Sequence, residues 1–158
     1  MNSTARTGRT HLFRGLAGIG LVATLAAMAA TTLAAALAKA AGVDFELPDG
    51  GEAIPLPGFA VMTGLFSLAG VVIAGALLRW SAQPAKRFVQ TAVSLTAISL
   101  VAPFLSGGNA ATVAALVALH LVAAAVMIPA LARSLRTRSG STRATTPAAG
   151  PASATGRR

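Results

Sequence analysis

The stretch FAVMTGLFSLAGVVIAGALL, residues 59–78, carries no ionisable side chain and is closed by Arg79 and Trp80. At about 1.5 Å of rise per residue, such a helix covers about 30 Å, the thickness of a bilayer's hydrocarbon core. A cation followed by an indole ring settles at the boundary between acyl chains and head groups, so Arg79 and Trp80 are expected as interface anchors.

Upstream, residues 41–58 hold all four carboxylates of the chain, Asp44, Glu46, Asp49 and Glu52, beside Pro48, Pro55, Pro57 and the turn pair Gly50-Gly51. This segment reads as an exposed, solvated loop. It lacks the alternating ligands and closing Glu of a calcium loop. Before it, residues 16–38 are apolar apart from Gly, Thr24, Thr31 and Thr32, and they follow a basic leader, 1–15, with Arg6, Arg9 and Arg14. Small residues at Ala36-Leu37-Ala38 and Ala38-Lys39-Ala40 have the spacing of a signal cleavage site. The apolar part, however, is longer than the roughly 7 to 15 residues of a signal sequence, and a retained first span is expected.

Downstream, 81–87 is a short basic turn around Pro84 with Lys86 and Arg87. A third span is predicted over 88–105 and a fourth over 110–132, linked by the tight hairpin Ser106-Gly107-Gly108-Asn109. Arg133, Arg136, Arg138 and Arg143 follow, and Ser, Thr, Ala, Pro and Gly then dominate. Such a composition buries too little apolar surface to offset ordering entropy, so a disordered basic tail is expected over 133–158. The predicted fold is all-α: a four-transmembrane-helix bundle, with a membrane domain over 16–132.

Composition agrees. Over 158 residues, 54% are apolar and 11% charged, more apolar content than one buried core of a soluble domain can hold. The absence of Cys excludes disulfides, thiolate metal sites and thiol nucleophiles. A net charge of +9 would suggest nucleic acid in a soluble protein, but here the basic residues flank apolar blocks and there is no Tyr. The partners expected are the lipid bilayer and, at the cytoplasmic Arg residues, anionic head groups; nucleic acid is not expected.

Orientation follows from Lys and Arg near the span ends. The leader, the turn at 81–87 with Arg79 beside it, and the segment after the fourth span are basic. The 106–109 link has no cation and the acidic loop only Lys39 at its edge. Both termini are therefore expected in the cytoplasm, in a multi-pass protein of the plasma membrane.

His120 is the one ionisable side chain deep in a span, a functional candidate by default. In an antiparallel hairpin of the last two spans it lies level with Leu95, and Ala92, Thr96, Ser99 and Pro103 share a helical face there. Pro103 has no N–H to give the carbonyl of Ser99. Thr96, Ser99 or that carbonyl is expected to hold the imidazole, making His120, Thr96 and Ser99 a candidate intramembrane polar site. The alternative is a proton or ligand role. On the second span Ala60, Thr63, Gly64, Ser67, Gly70 and Ala74 form a small-residue stripe that admits another helix backbone. Packing inside the bundle is the expected use, a dimer interface the alternative.

No catalytic set can be assembled from the sequence. His11 and His120 are far apart, no phosphate loop is present, and no carboxylate lies within a span. The chain is not expected to be an enzyme, and no cofactor or metal is expected.

Gly42-Val43-Asp44 after the first span, Arg79-Trp80 closing the second, Ser99-Leu100 with Pro103 in the third, and His120-Leu121 with Ile128-Pro129 and Arg133 in the fourth occur in order. In these features the chain resembles, over roughly residues 12 to 135, small four-helix actinobacterial membrane proteins grouped as a domain of unknown function. Phe88 stands where that family leads one to expect Trp. The resemblance implies topology and location and brings no activity. The function expected is that of a structural or accessory membrane component; the alternative is a small transporter or ligand-binding membrane protein using a cavity near His120.

Overall fold

The computed structural model describes residues 3–46 and 53–144. Asp49 and Glu52 of the acidic loop, and the part of the expected disordered tail beyond 144, lie outside the described residues. The elements are α1 (Ser3–Ala40), α2 (Leu56–Trp80), α3 (Pro84–Ser99), α4 (Val101–Leu105) and α5 (Ala110–Ala144). Among the described residues, four segments are long and apolar enough to cross a membrane: Phe13–Ala40, Leu56–Trp80, Pro84–Leu105 and Ala110–Arg138. The architecture is the all-α, four-helix one expected.

Several helix ends have a local chemical cause. α1 stops where Gly42 adopts φ 94, a left-handed conformation that costs a residue without Cβ little. The amide of Val43 then donates to the Ala38 carbonyl and that of Gly42 to the Lys39 carbonyl, the paired closure of a Schellman motif. α2 and α3 both carry Pro in their first turn, where the missing N–H has no intrahelical partner to lose. The third span breaks at Leu100, whose amide turns back to the Thr96 carbonyl, and resumes as α4. Pro103 accounts for the break, because it cannot donate to the carbonyl of Ser99.

The bounds differ from expectation mainly after the fourth span. Residues 133–144, expected within the disordered tail, continue α5. No Pro interrupts them, and the continuation has its own packing: Leu131 and Leu135 are fully buried, with Ala132 and Ser134 nearly so. Leu16 of α1 belongs to the same core cluster. The leader is likewise helical from Ser3.

α1 packs on α2 and α5, α5 packs on α3, and α2 touches both α3 and α5. α1 and α3 occupy opposite corners, without contact among the described residues. The α1–α2 pair is antiparallel, with Gly20 opposite Val71, Met28 opposite Gly64, and Thr31 opposite Thr63. Gly20 permits the close approach. A Cβ there would lie 2.7 and 2.8 Å from the two Val71 methyl groups.

Many large apolar side chains of the spans face outward, and several of the buried ones are small. Ala23, Ala27, Ala35 and Ala74 are buried, whereas Val22, Phe66, Val72 and Phe104 are about two-thirds exposed or more. Water would penalise that exposure by roughly 25 cal/mol for each Å² of apolar surface. Lipid does not, and close backbone contact through small side chains is how helices associate in it.

Candidate functional site

Of the polar groups expected to meet in the third and fourth spans, His120 and Ser99 are each engaged on their own helix. His120 Nδ1 lies 2.8 Å from the carbonyl of Leu116, so that nitrogen carries the proton and donates. Ser99 Oγ donates to the carbonyl of Thr96 at 2.8 Å. The hydrogen bond expected across the hairpin is thus replaced by intrahelical ones. The cause is proximity: a carbonyl one turn back is within reach without any demand on interhelical spacing. Two open surface depressions lie beside the α2–α3 turn, lined in common by Ala82, Gln83, Lys86 and Gln90, and His120 lines neither.

Polar ties do cross between elements, two of them at Thr31 and at Asp44. In the spans, the hydroxyls of Thr31 and Thr63 are 3.0 Å apart, joining α1 to α2. Thr31 also reaches the Ala27 carbonyl at 2.8 Å, so with Thr31 donating there, Thr63 donates to Thr31. Gly64, Ser67 and Ala74 are the buried residues of α2. Packing against α1 within the bundle therefore accounts for the core of the small-residue stripe. By the same register Thr24 is level with Ser67, yet the hydroxyls of Thr24 and Thr32 are buried with no hydrogen-bond partner among the described residues.

The second tie closes the end of the bundle away from the Arg residues. Asn109 caps α5, its side-chain carbonyl accepting the Thr112 amide at 2.8 Å. The Thr112 hydroxyl donates to Asp44 at 3.0 Å, and the Asn109 amide reaches both oxygens of the same carboxylate at 3.3 and 3.2 Å. The amide of Glu46 donates to it as well. These donors hold the Asp44 carboxyl below its ordinary value, the Glu46 amide and Thr112 hydroxyl most of all. The next residue, Phe45, is 1% exposed with φ 55, against Phe59 with ring centroids 5.0 Å apart. A bulky residue at positive φ is strained, and burial of its ring is what offsets the strain.

The sequence reading treated Asp44 as a solvated loop carboxylate and missed this clasp. The available signals were Asn109 three residues before Thr112, an N-cap spacing, and Asp44 two residues after the helix-ending Gly42.

At the opposite end the guanidinium of Arg79 lies 5.9 Å from the Trp80 ring centroid, and both side chains are exposed. Arg138 lies over Gly15, bringing the start of the first span beside the end of α5. The described cations Arg14, Arg79, Lys86, Arg87, Arg133, Arg136 and Arg138 therefore gather at one end of the bundle. Lys39, Asp44 and Glu46 sit at the other.

Four apolar helices with lipid-suited exteriors, polar ties inside and opposite charge character at the two ends define a multi-span membrane protein. The chain belongs to a family of unknown function, DUF6069, which it matches over residues 12–137. No curated protein and no solved structure shows significant similarity to it.

Proposed function

We propose that the protein is a non-catalytic structural or accessory component of the plasma membrane, with both termini in the cytoplasm and its basic end on anionic head groups. What supports this reading is how its polar groups are used. The Thr31–Thr63 pair and the Asp44 clasp join elements of the bundle to each other, and His120 and Ser99 are bonded to their own helices.

The orientation rests on the collection of Arg and Lys at one end, which the positive-inside rule assigns to the cytoplasm. Reporter fusions after residue 158 and within 45–52 should report opposite sides; the same side for both overturns the topology. Affinity purification in mild detergent, with identification of co-purifying proteins and lipids, tests the accessory role. A stable protein partner supports it, and substrate uptake by the purified protein in vesicles overturns it.

A further inference from the structure

We propose that the groove between the α2–α3 turn and the last turns of α5 binds the phosphate group of an anionic membrane lipid, with Lys86 and Arg136 as its two cations. The proposal rests on the reading that this end of the bundle meets a bilayer surface, and it assigns one site there.

The groove is an open surface depression of about 670 Å³. Gln83, Lys86 and Gln90 line it from the start of α3, and Arg136 from α5. Lys86 and Gln90 also wall an adjoining groove of about 560 Å³ that reaches Leu77 and Arg87. Lys86 thus lines both depressions, together with the amide side chains of Gln83 and Gln90.

Among the described residues, no carboxylate lines the groove beside these cations. All four carboxylates fall within residues 44–52. The 25 residues of α2 separate that loop from the groove, about 37 Å at 1.5 Å per residue. An open groove lined by a lysine and an arginine from different helices, with no carboxylate among its described lining residues, is chemically complementary to a phosphodiester. The guanidinium supplies a two-pronged donor and the ammonium a point charge. The start of α3 adds to the same field. Its N-cap, Gln83, makes no side-chain cap, and the positive end of the helix dipole stands beside the groove.

The position selects a lipid over a free anion. The depression begins just after Arg79 and Trp80 and includes Leu77, so its rim is at the boundary of the apolar span. Val89 and Ala85 continue an apolar wall from which an acyl chain can leave into the bilayer. A phosphate tethered to an acyl chain uses both walls. Inorganic phosphate uses only one.

The test is native mass spectrometry of the full chain in mild detergent, incubated with phosphatidylglycerol or with phosphatidylcholine of the same acyl chains. The wild type should retain phosphatidylglycerol preferentially. Lys86→Gln with Arg136→Gln should lower that retention by about fivefold for each charge removed. Lys86→Arg with Arg136→Lys should retain it, as should Lys39→Gln at the opposite end. Both groove side chains are exposed, so the fold should survive, and helical circular dichroism verifies it. Equal retention by the double Gln variant and the wild type overturns the site, as does equal retention of phosphatidylcholine. Displacement of the lipid by millimolar inorganic phosphate overturns the lipid as ligand. Loss of an acidic protein partner with lipid retention intact replaces lipid by protein. None of these outcomes touches the accessory reading, which fails separately if the protein transports a solute.

Discussion

The hydroxyl of Thr112 donates to the carboxylate of Asp44 at 3.0 Å across 68 positions of sequence, and this bond fastens the loop after α1 to the first turn of α5. Asn109 completes the junction by capping that turn while holding the same carboxylate. Replacing Asn109 by Ala should cost about 1 kcal/mol through the lost cap. Unfolding of purified protein by detergent titration measures it, and an unchanged midpoint would deny the clasp any role in stability.

The clasp also predicts a pH dependence. The folded carboxyl of Asp44 lies below its ordinary value of 3.8. Its contribution to stability is therefore fully present above that value and is lost as pH falls through the lower folded value. Asp44→Asn should abolish this part of the acid response and leave stability at neutral pH below that of the wild type. Comparing the two proteins between pH 2 and pH 6 decides the matter, and parallel curves would exclude Asp44 as the source.

Gly20→Ala should destabilise the α1–α2 pair by about 1–3 kcal/mol, because the added methyl meets a stiff, β-branched neighbour. Val71→Ala in the same chain should recover much of the loss. A double-mutant cycle reading no coupling would mean that the helices separate more easily than the contact implies.

Two threonines of α1 should respond in opposite ways to the same change. Thr31→Val removes the hydroxyl bonded to Thr63 and should cost about 0.6 kcal/mol, typical of polar contacts between membrane helices. Thr24→Val removes a buried hydroxyl without a partner and should be neutral or stabilising. Equal losses in both variants would mean that the Thr24 hydroxyl is bonded after all.

Leu135→Ala should destabilise by about 2–5 kcal/mol, as for other large-to-small changes at fully buried sites. Its position beyond the expected end of the fourth span makes this the test of whether α5 docks there on α1. His120→Leu, by contrast, removes one intrahelical bond and should change stability by about 1 kcal/mol or less. A loss near zero for Leu135→Ala would restore the tail to a solvated segment.

The number of spans, the breaks between them and the segregation of Arg from the carboxylates were all legible in residues 59–78 and their neighbours. Lipid imposes a length and a polarity on each crossing helix, and both are written residue by residue. Arg79-Trp80, Gly42, Pro84 and Pro103 mark helix ends for reasons equally local: an interfacial ring, a left-handed backbone, a missing N–H. What no local rule supplies is which groups meet. His120 had a carbonyl in reach on its own helix and took it. Asp44, by every local sign a solvated loop residue, is held by Asn109 and Thr112 because the bundle brings the two loop ends together. Residues 133–144 became helix because Leu131 and Leu135 found α1 to pack against, and Lys86 and Arg136 came to line one groove through the same assembly. Those pairings depend on interhelical register and distance, which arise only when all four helices pack at once.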